Sequence, residues 1–363
     1  MKDGQLLIFG SAGRYIQGPG AIKYLGNLAS QISKKKKVYV LLDSGISFLV
    51  NRIERSLKEE AIEYFLSKFD GNVRIQKADS ISEEILSAGG IDIIIGIGGG
   101  KTIDMSKLIA RRLNYRNMIV PTIAATDAPV SHLAVASDEN NNIIDEENFF
   151  SPDIVLVDSE IIAAAPVRYF VSGIGDAISK KYEVLNAIAA DENNFFNGKP
   201  VYFIKSLLEI HHQTLLKYSL EAKKSVEKKE TNEIVEKVLT SIILLSGMLF
   251  ENGGLIGAHS IANVLNMEGF GKKNMHGELV SVGILLQIIL QKLPVDELER
   301  IDGLFQSLGL PYNFTKLGIN IDDSQKIQSI CKGISTRLKK HNFIRSEKEI
   351  LEAIEILEQR SWK

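Results

Sequence analysis

One segment decides the fold class: Ile91-Asp92-Ile93-Ile94-Ile95-Gly96-Ile97-Gly98-Gly99-Gly100-Lys101-Thr102-Ile103-Asp104. Residues 91–97 are apolar at nearly every position, which is typical of a strand buried on both faces of a parallel sheet. Three glycines follow the strand, and residues 102–113 then have the pattern of a helix. A buried strand that turns sharply into a helix predicts an α/β fold.

The three glycines also predict a ligand. Glycine lets the backbone approach a phosphate closely, and the N-terminus of the next helix offers free N–H groups with a partial positive charge. The segment does not match either of two known phosphate-binding loops. A P-loop would have glycine where this chain has Ile95, and the ordinary dinucleotide fingerprint would have glycine where it has Lys101. A turn without a ligand is the alternative. We expect contacts to a dinucleotide from Gly98, Gly99, Gly100, Lys101, Thr102 and Asp104.

The first part of the chain alternates predicted strands with helices. Short apolar runs predict further strands at residues 38–42, 73–76, 118–120 and 154–157. Residues 46–69 have helical periodicity, and the Asn-rich residues 138–148 indicate an exposed loop or hairpin. This alternation predicts an open parallel sheet of βαβ units.

The pattern changes near residue 166 and becomes almost entirely helical. Amphipathic segments cover residues 201–218, 234–250 and 279–290. We therefore predict a dinucleotide-binding α/β domain at residues 1–165 and an all-helical domain at residues 166–363.

Asp43 follows the predicted strand at residues 38–42. There it could accept hydrogen bonds from a cofactor ribose, which would favour NAD over NADP because a 2′-phosphate would be repelled. The alternative is that Asp43 only caps the next helix.

The composition and net charge limit which binding partners are expected. The chain has 363 residues, 45% of them hydrophobic and 24% charged, and its net charge is −2. With so small a net charge, the protein is not expected to have an overall electrostatic field that attracts nucleic acid or an anionic membrane. No apolar stretch reaches the ~20 residues that a membrane-spanning helix needs. The basic run at residues 34–37 reads as a solvated loop. The single cysteine, Cys331, is expected in the core, and this composition fits a reducing cytoplasm.

Three motifs suggest a family. They are the glycine turn, Val120-Pro121-Thr122-Ile123-Ala124-Ala125-Thr126-Asp127-Ala128-Pro129 and Asp158-Ser159-Glu160-Ile161-Ile162-Ala163-Ala164-Ala165-Pro166-Val167-Arg168. They resemble glycerol dehydrogenases, within the iron-containing alcohol dehydrogenase and dehydroquinate synthase-like group. The likeness runs from about residue 10 to about residue 290. It implies a dehydroquinate synthase-like pair of domains, an NAD cofactor (NADP being possible), a divalent metal held by one Asp and two His, and a homo-oligomer.

The resemblance places the metal ligands at Asp176, His259 and His276, within Gly173-Ile174-Gly175-Asp176, Gly257-Ala258-His259 and Met275-His276-Gly277-Glu278. This donor set suits Zn²⁺, usual in the glycerol dehydrogenases, and also accepts Fe²⁺. Three protein ligands leave a position open, and a divalent cation lowers the pKa of a nearby alcohol so that hydride can leave for a nicotinamide. Without the resemblance, the alternative for each residue alone is a structural role: a helix cap for the Asp and a core position for each His.

The resemblance assigns further pocket residues. Asp127 would bind a polyol hydroxyl, and Thr122, Ser131 and Leu133 would lie near the nicotinamide and its ribose. A plain turn is the alternative for Asp127. His132 could line the pocket. The remaining histidines are expected at the surface: His211, His212 and His341.

Lys180 departs from the family pattern. Iron alcohol dehydrogenases have His at this place, glycerol dehydrogenases usually have a neutral residue, and sn-glycerol-1-phosphate dehydrogenases often have Lys. Positions i and i+4 share a helix face, so Lys180 would pair with Asp176 or hold a substrate phosphate, unless it is a surface residue.

The sequence therefore predicts a metal-dependent NAD(P)-linked oxidoreductase acting between a small polyol such as glycerol and its hydroxyketone. One alternative is an enzyme like sn-glycerol-1-phosphate dehydrogenase, with a phosphorylated polyol as substrate. A second is a dehydroquinate synthase-like lyase, although such lyases normally have Glu where this chain has Asp176.

Overall fold

The computed structural model describes residues 5–137, 143–147, 151–341 and 343–359. The chain divides into two compact units. The α/β unit contains Gly10–Val167 and Ser225–Gly247, and the helical unit contains Met1–Phe9, Arg168–Lys224 and Met248–Lys363. The main division falls between residues 167 and 168, close to the domain boundary predicted after residue 165. The segment Ser225–Gly247 returns to the α/β unit.

The α/β unit contains a six-stranded parallel sheet in the order β1-β8-β5-β4-β2-β3. Its strands are β1 (Arg14–Gly18), β2 (Lys37–Asp43), β3 (Glu63–Phe69), β4 (Ile93–Gly98), β5 (Arg116–Pro121) and β8 (Ile154–Asp158). A separate antiparallel pair consists of β6 (Leu133–Ser137) and β7 (Ile143–Glu147). This pair confirms the predicted hairpin, whose residues 138–142 and 148 lie outside the described residues.

Five helices accompany these strands: α1 (Leu25–Ile32), α2 (Val50–Glu59), α3 (Ile75–Ala88), α4 (Gly100–Leu113) and α5 (Ser159–Ala164). The chain then forms α6 (Val167–Ala189) and α7 (Ile204–Glu227), and returns to the α/β unit as α8 (Glu233–Thr240) and a π-helical turn (Ser241–Leu245).

Within the described residues, six further helices follow: α9 (Ser246–Gly253), α10 (Ala258–Met267), α11 (His276–Leu290), α12 (Val295–Leu308), α13 (Ser324–Lys339) and α14 (Glu347–Gln359). Within the described ranges, no helix has both the length and the apolar character needed to span a membrane.

Strand β4 is the centre of the α/β core. Ile93, Ile95 and Ile97 belong to the apolar cluster on one face of the sheet, and Ile94 belongs to the cluster on the other face. All four side chains are fully buried. Burial on both faces explains why this strand is apolar at successive positions.

Two predicted elements in the first part of the chain are wrong. Residues 73–76 do not form a strand, because α3 begins at Ile75. Residues 46–69 were predicted to be helical, and Val50–Glu59 do form α2, but Glu63–Phe69 form the strand β3. Strand β3 lies at the edge of the sheet and pairs only with β2, so most of its residues remain partly exposed. An edge strand therefore lacks the continuous apolar run that identifies a central strand.

Candidate active site

The predicted metal ligands lie on three helices of the helical unit. Asp176 is in the middle of α6, His259 is the second residue of α10, and His276 begins α11. Gly175 and Gly277 explain how these helices meet. A Cβ on Gly175 would lie 2.7 Å from the Gly277 carbonyl oxygen, and a Cβ on Gly277 would collide with the Ser172 carbonyl oxygen. The glycines beside the ligands therefore permit backbone packing that brings Asp176 to His276.

The three donors converge. Asp176 Oδ1 lies 3.1 Å from His259 Nε2 and 3.8 Å from His276 Nε2, and the three ligand atoms all lie within 4.8 Å of one another. Asp176 is buried, whereas the His276 side chain is 40% exposed. Two imidazoles and one carboxylate, open on the His276 side, fit a divalent transition metal that keeps a free coordination position.

Glu183 orients His259. Its Oε2 lies 2.5 Å from His259 Nδ1, and its Oε1 accepts a hydrogen bond of 2.9 Å from the His259 backbone N–H. Glu183 is fully buried on α6. A carboxylate bonded to one imidazole nitrogen leaves the other nitrogen for the metal. The sequence analysis missed Glu183, although its position seven residues after Asp176 places both side chains on one helix face.

The same contacts shift two pKa values. Burial has the largest effect on His259 and opposes its charged form, as does the Lys180 charge, but the Glu183 and Asp176 carboxylates together outweigh both and raise the pKa of His259 to about 9. Burial likewise opposes the charge of Glu183, but His259 holds the pKa of Glu183 below its usual range. In the metal-free protein at neutral pH, His259 is therefore an imidazolium that donates to both Glu183 and Asp176.

Lys180 pairs with the metal-ligand carboxylate, as its i+4 spacing predicts. Its Nζ lies 3.1 Å from Asp176 Oδ1, and its side chain is fully buried. Burial raises the pKa of Asp176, but Lys180 and then His259 lower it by more, so the net pKa lies far below its usual range. Asp176 therefore stays ionised, and Lys180 places a positive charge beside a metal ligand.

An ion pair supports the N-terminus of α11. Arg168 contacts both carboxylate oxygens of Glu278 at 2.7 Å, and Glu278 accepts a hydrogen bond of 2.8 Å from the Met275 backbone N–H. These bonds fix the turn from which His276 projects.

The glycine turn has the predicted strand–turn–helix form. Strand β4 ends at Gly98, and Gly99 precedes the first residue of α4. A Cβ on Gly98 would lie 2.8 Å from the Cβ atoms of both Asp43 and Thr102, whereas a Cβ on Gly100 would meet no atom within 4 Å. Gly100 is the first residue of α4, so a phosphate could approach the free N–H groups of the helix at this point.

Asp43 and Thr122 border this turn. Asp43 accepts a 2.9 Å bond from the Gly45 backbone N–H, so it caps the short 3₁₀ helix at Ser44–Leu49, and it lies 3.4 Å from the Thr102 hydroxyl. The Thr122 backbone N–H donates to the Gly98 carbonyl at 3.1 Å. The structure thus brings Asp43, Gly98, Thr102 and Thr122 together.

Two other predicted cofactor residues have different neighbours. Lys101 is exposed and donates a 2.9 Å bond to Asn72 Oδ1. Asp104 faces Lys107, and burial raises the pKa of Asp104 to about 6 despite Lys107 and a hydrogen bond from the Val135 backbone.

Lys107 holds the loop that contains the other predicted pocket residues. Its buried Nζ donates to the carbonyl oxygens of Ala128 at 2.6 Å and Leu133 at 2.8 Å, and lies 3.4 Å from the Ser131 hydroxyl. These bonds join α4 to residues 127–133, which we call the pocket loop. Lys107 could not be found from the sequence, since its two shortest hydrogen bonds are to main-chain carbonyl oxygens.

The pocket loop also carries Asp127 and His132. The Ser246 hydroxyl donates a 2.9 Å hydrogen bond to Asp127 Oδ2, and His132 is buried. The sequence analysis missed Ser246 as well, because its contact depends on the segment that returns to the α/β unit.

The prediction that His211 and His212 are surface residues is wrong, because both are fully buried. His211 Nε2 lies 2.8 Å from the Ala177 carbonyl oxygen, and the His212 ring packs edge-on against Tyr182. Burial above all lowers the pKa of His212 to about 3. Their polar neighbours in sequence occupy the opposite face of α7. Cys331 is buried as predicted, and burial raises its pKa to about 11.

Comparisons with known proteins identify the family of this chain. The family model for iron-containing alcohol dehydrogenase matches residues 12–159. A glycerol dehydrogenase from Thermotoga maritima is 35% identical over 320 residues, which cover 85% of this chain and 84% of that protein.

Solved structures show the same similarity. The crystal structure of glycerol dehydrogenase from Schizosaccharomyces pombe has a TM-score of 0.89 at 28% identity, covering 98% of this chain and 91% of that one. A probable glycerol dehydrogenase from Sinorhizobium meliloti has a TM-score of 0.87 at 29% identity, covering 97% and 98%.

Proposed function

Because this chain belongs to the glycerol dehydrogenase branch of the iron-containing alcohol dehydrogenase family, it is a metal-dependent oxidoreductase, and we propose that it transfers a hydride between glycerol or a similar small polyol and NAD. The reverse reaction reduces the corresponding hydroxyketone. The convergence of Asp176, His259 and His276 carries the proposal, because these donors suit a divalent cation with an open coordination position.

The three ligands would hold Zn²⁺, and the donor set would also accept Fe²⁺. When bound, the cation supplies Lewis acidity that lowers the pKa of the reacting hydroxyl. The chain supports this role through Glu183, which accepts a hydrogen bond from the His259 Nδ1–H and so keeps Nε2 directed at Asp176. Glu183 thereby fixes both the tautomer and the direction of the imidazole.

The cofactor would use the glycine turn. Its pyrophosphate would lie at the N-terminus of α4, where Gly100 leaves space and the first N–H groups of the helix are available. The Asp43 carboxylate, at the end of β2, would accept hydrogen bonds from the adenosine ribose and disfavour a 2′-phosphate. Thr122, Ser131 and Leu133 would lie near the nicotinamide ribose, and Lys101 and Asp104 would flank the phosphates.

Asp127 would recognise the polyol. Its carboxylate would accept a hydrogen bond from a hydroxyl next to the reacting one, so a diol would bind better than a simple alcohol. The 2.9 Å hydrogen bond that Ser246 donates to Asp127 Oδ2 supports a defined orientation of this carboxylate.

A phosphorylated polyol is less well supported. Lys180 was the residue that suggested such a substrate, but it is fully buried and bonded to Asp176. This position favours a role at the metal ligand. A homo-oligomer and a cytoplasmic location stay predictions that follow from the family and the composition.

The test is an assay of NAD reduction by the zinc-loaded protein with glycerol, 1,2-propanediol, glycerol 1-phosphate and a monoalcohol. We expect the two unphosphorylated polyols to be the best substrates, and we expect a chelator to abolish turnover until Zn²⁺ is restored. No NAD reduction with any polyol would refute the proposal. Preference for glycerol 1-phosphate would favour the phosphorylated substrate instead.

The variant Asp127→Asn separates substrate from cofactor recognition. We expect it to lower kcat/KM for glycerol by roughly tenfold to a hundredfold, the usual cost of losing a hydrogen bond to a charged group, with an unchanged Kd for NAD. A raised Kd for NAD at an unchanged glycerol rate would place Asp127 in the cofactor site.

A further inference from the structure

A π-helical turn, Ser241–Leu245, separates α8 from α9. Such a turn adds one residue to a helical turn, and π-turns are frequent at functional sites. In a helix, one added residue rotates everything that follows by roughly 100° about the axis. The turn therefore decides which side chain at the start of α9 faces the pocket loop.

The orientation of α8 before this turn is fixed independently. Gln17 on β1 donates to the Glu236 carbonyl at 2.9 Å and to the Glu236 carboxylate at 2.5 Å. The Thr240 hydroxyl donates to Gln17 Oε1 at 3.2 Å. Because α8 is anchored to β1 by these bonds, α8 cannot rotate to adjust α9, and the extra residue in the turn makes the adjustment.

Two successive residues after the turn contact the pocket loop. Ser246 is fully buried, and its hydroxyl donates a 2.9 Å hydrogen bond to Asp127 Oδ2. At Gly247, a Cβ would lie 3.1 Å from the Val130 Cβ and 3.4 Å from the Asp127 carbonyl oxygen. The small residue at position 247 thus allows the helix backbone to approach closely enough for Ser246 to reach Asp127.

We propose that Ser246 is a positioning residue for polyol recognition: the π-turn directs its hydroxyl to one oxygen of Asp127 and so fixes the carboxylate for a substrate hydroxyl. This inference rests on the proposed function, in which Asp127 binds the polyol. Ser246 acts only through Asp127, so its effect is on the binding of the polyol and leaves the metal and the dinucleotide unaffected.

The test compares Ser246→Ala with a matched control, Ser219→Ala. Both serines are fully buried, but within the described part of the chain the Ser219 hydroxyl has no hydrogen-bond partner. We expect Ser246→Ala to raise KM for glycerol roughly tenfold, because it removes a hydrogen bond to a charged group. KM for NAD and the bound zinc should stay at the wild-type values. Ser219→Ala should leave all three unchanged, and Ser246→Thr should recover part of the loss.

A double variant gives a second measurement. In the Asp127→Asn protein, adding Ser246→Ala should change KM for glycerol by less than twofold to threefold, because two residues that act as a unit are not additive. If Ser246→Ala does not fold, the same measurements on Ser246→Cys, which keeps the volume but donates weakly, decide the question.

Two results would overturn the inference: KM for glycerol within about twofold of wild type in Ser246→Ala, or a parallel rise of KM for glycerol and NAD that shows general damage. Wild-type protein that oxidises no polyol would instead refute the proposed function. The two failures are therefore distinguishable.

Discussion

The metal cluster and the glycine turn are built in different ways. The turn is one continuous stretch that ends β4 and begins α4, and its ligand-binding groups are main-chain N–H groups. The metal cluster takes one side chain from each of α6, α10 and α11, and adds Glu183 and Lys180 around them. A contiguous turn depends on local backbone conformation, whereas the cluster exists only after three helices have packed.

The two regions also differ in charge. The cluster buries Asp176, Glu183 and Lys180, and such charges are tolerated only when each is paired. The turn uses the partial charge of a helix N-terminus, which does not titrate. Because only the cluster contains candidate metal ligands, changes of metal should act on the cluster and leave the turn unaffected.

The largest effect is expected from loss of a metal ligand. His259→Ala or His276→Ala should remove most bound zinc and lower kcat by a thousandfold or more, on the order of the loss of a catalytic metal. The Kd for NAD should change by less than about twofold, since the turn is built separately. Metal analysis, turnover and NAD titration check this. Full zinc content in both variants would contradict the assignment of the cluster.

Zinc affinity should depend strongly on pH. Metal can bind His259 only after the imidazolium loses its proton, and the pKa of His259 in the metal-free protein is raised to about 9. The apparent affinity should therefore rise about tenfold per pH unit between pH 7 and 9 and then level off. Chelator competition at several pH values measures it. An affinity that is flat over this range would contradict the raised pKa.

The raised pKa of His259 also makes the stability of the metal-free protein depend on pH. A pKa raised from 6.5 to about 9 on folding stabilises the metal-free protein fully below pH 6.5, and this contribution is lost as the pH rises through 9. The Tm of the metal-free protein should fall over this window, whereas zinc-loaded protein should show a smaller change.

Glu183→Gln should weaken zinc binding by roughly tenfold to a hundredfold, the usual consequence of losing a carboxylate that orients a ligand histidine. Glu297→Gln is a suitable control, because Glu297 bonds Tyr182 and Lys181 and contacts none of the three ligands in the described contacts. Chelator competition gives both affinities. Equal losses in the two variants would show that Glu183 has no special role in holding the metal.

The smallest effect is expected in the turn. Gly98→Ala places a Cβ 2.8 Å from Asp43 and Thr102, and such overpacking costs about 1–3 kcal/mol. We expect a lower Tm and a several-fold weaker affinity for NAD, with zinc binding unchanged. Gly303→Ala is the control, because a Cβ there meets no atom within 4 Å. Weaker zinc binding in Gly98→Ala would show that the two regions are coupled.

The sequence by itself determined the features that depend on neighbouring residues. The buried strand at Ile93, the glycines that end it and the helix that follows were all readable from local pattern, because strand and helix periodicity express which positions are buried. The three candidate metal ligands, which the structure brings together, were predicted through the resemblance of their motifs and not from their spacing in the chain.

The tertiary structure decided the rest. Glu183 orients His259, Lys107 holds the pocket loop, and Ser246 reaches Asp127, and each of these contacts joins residues far apart in the chain. The burial of His211 and His212 also follows only from the packing of α7, because their neighbours in the sequence are polar. Local pattern records which face of an element is apolar, but the partner of a buried polar group is chosen only when separate elements pack together.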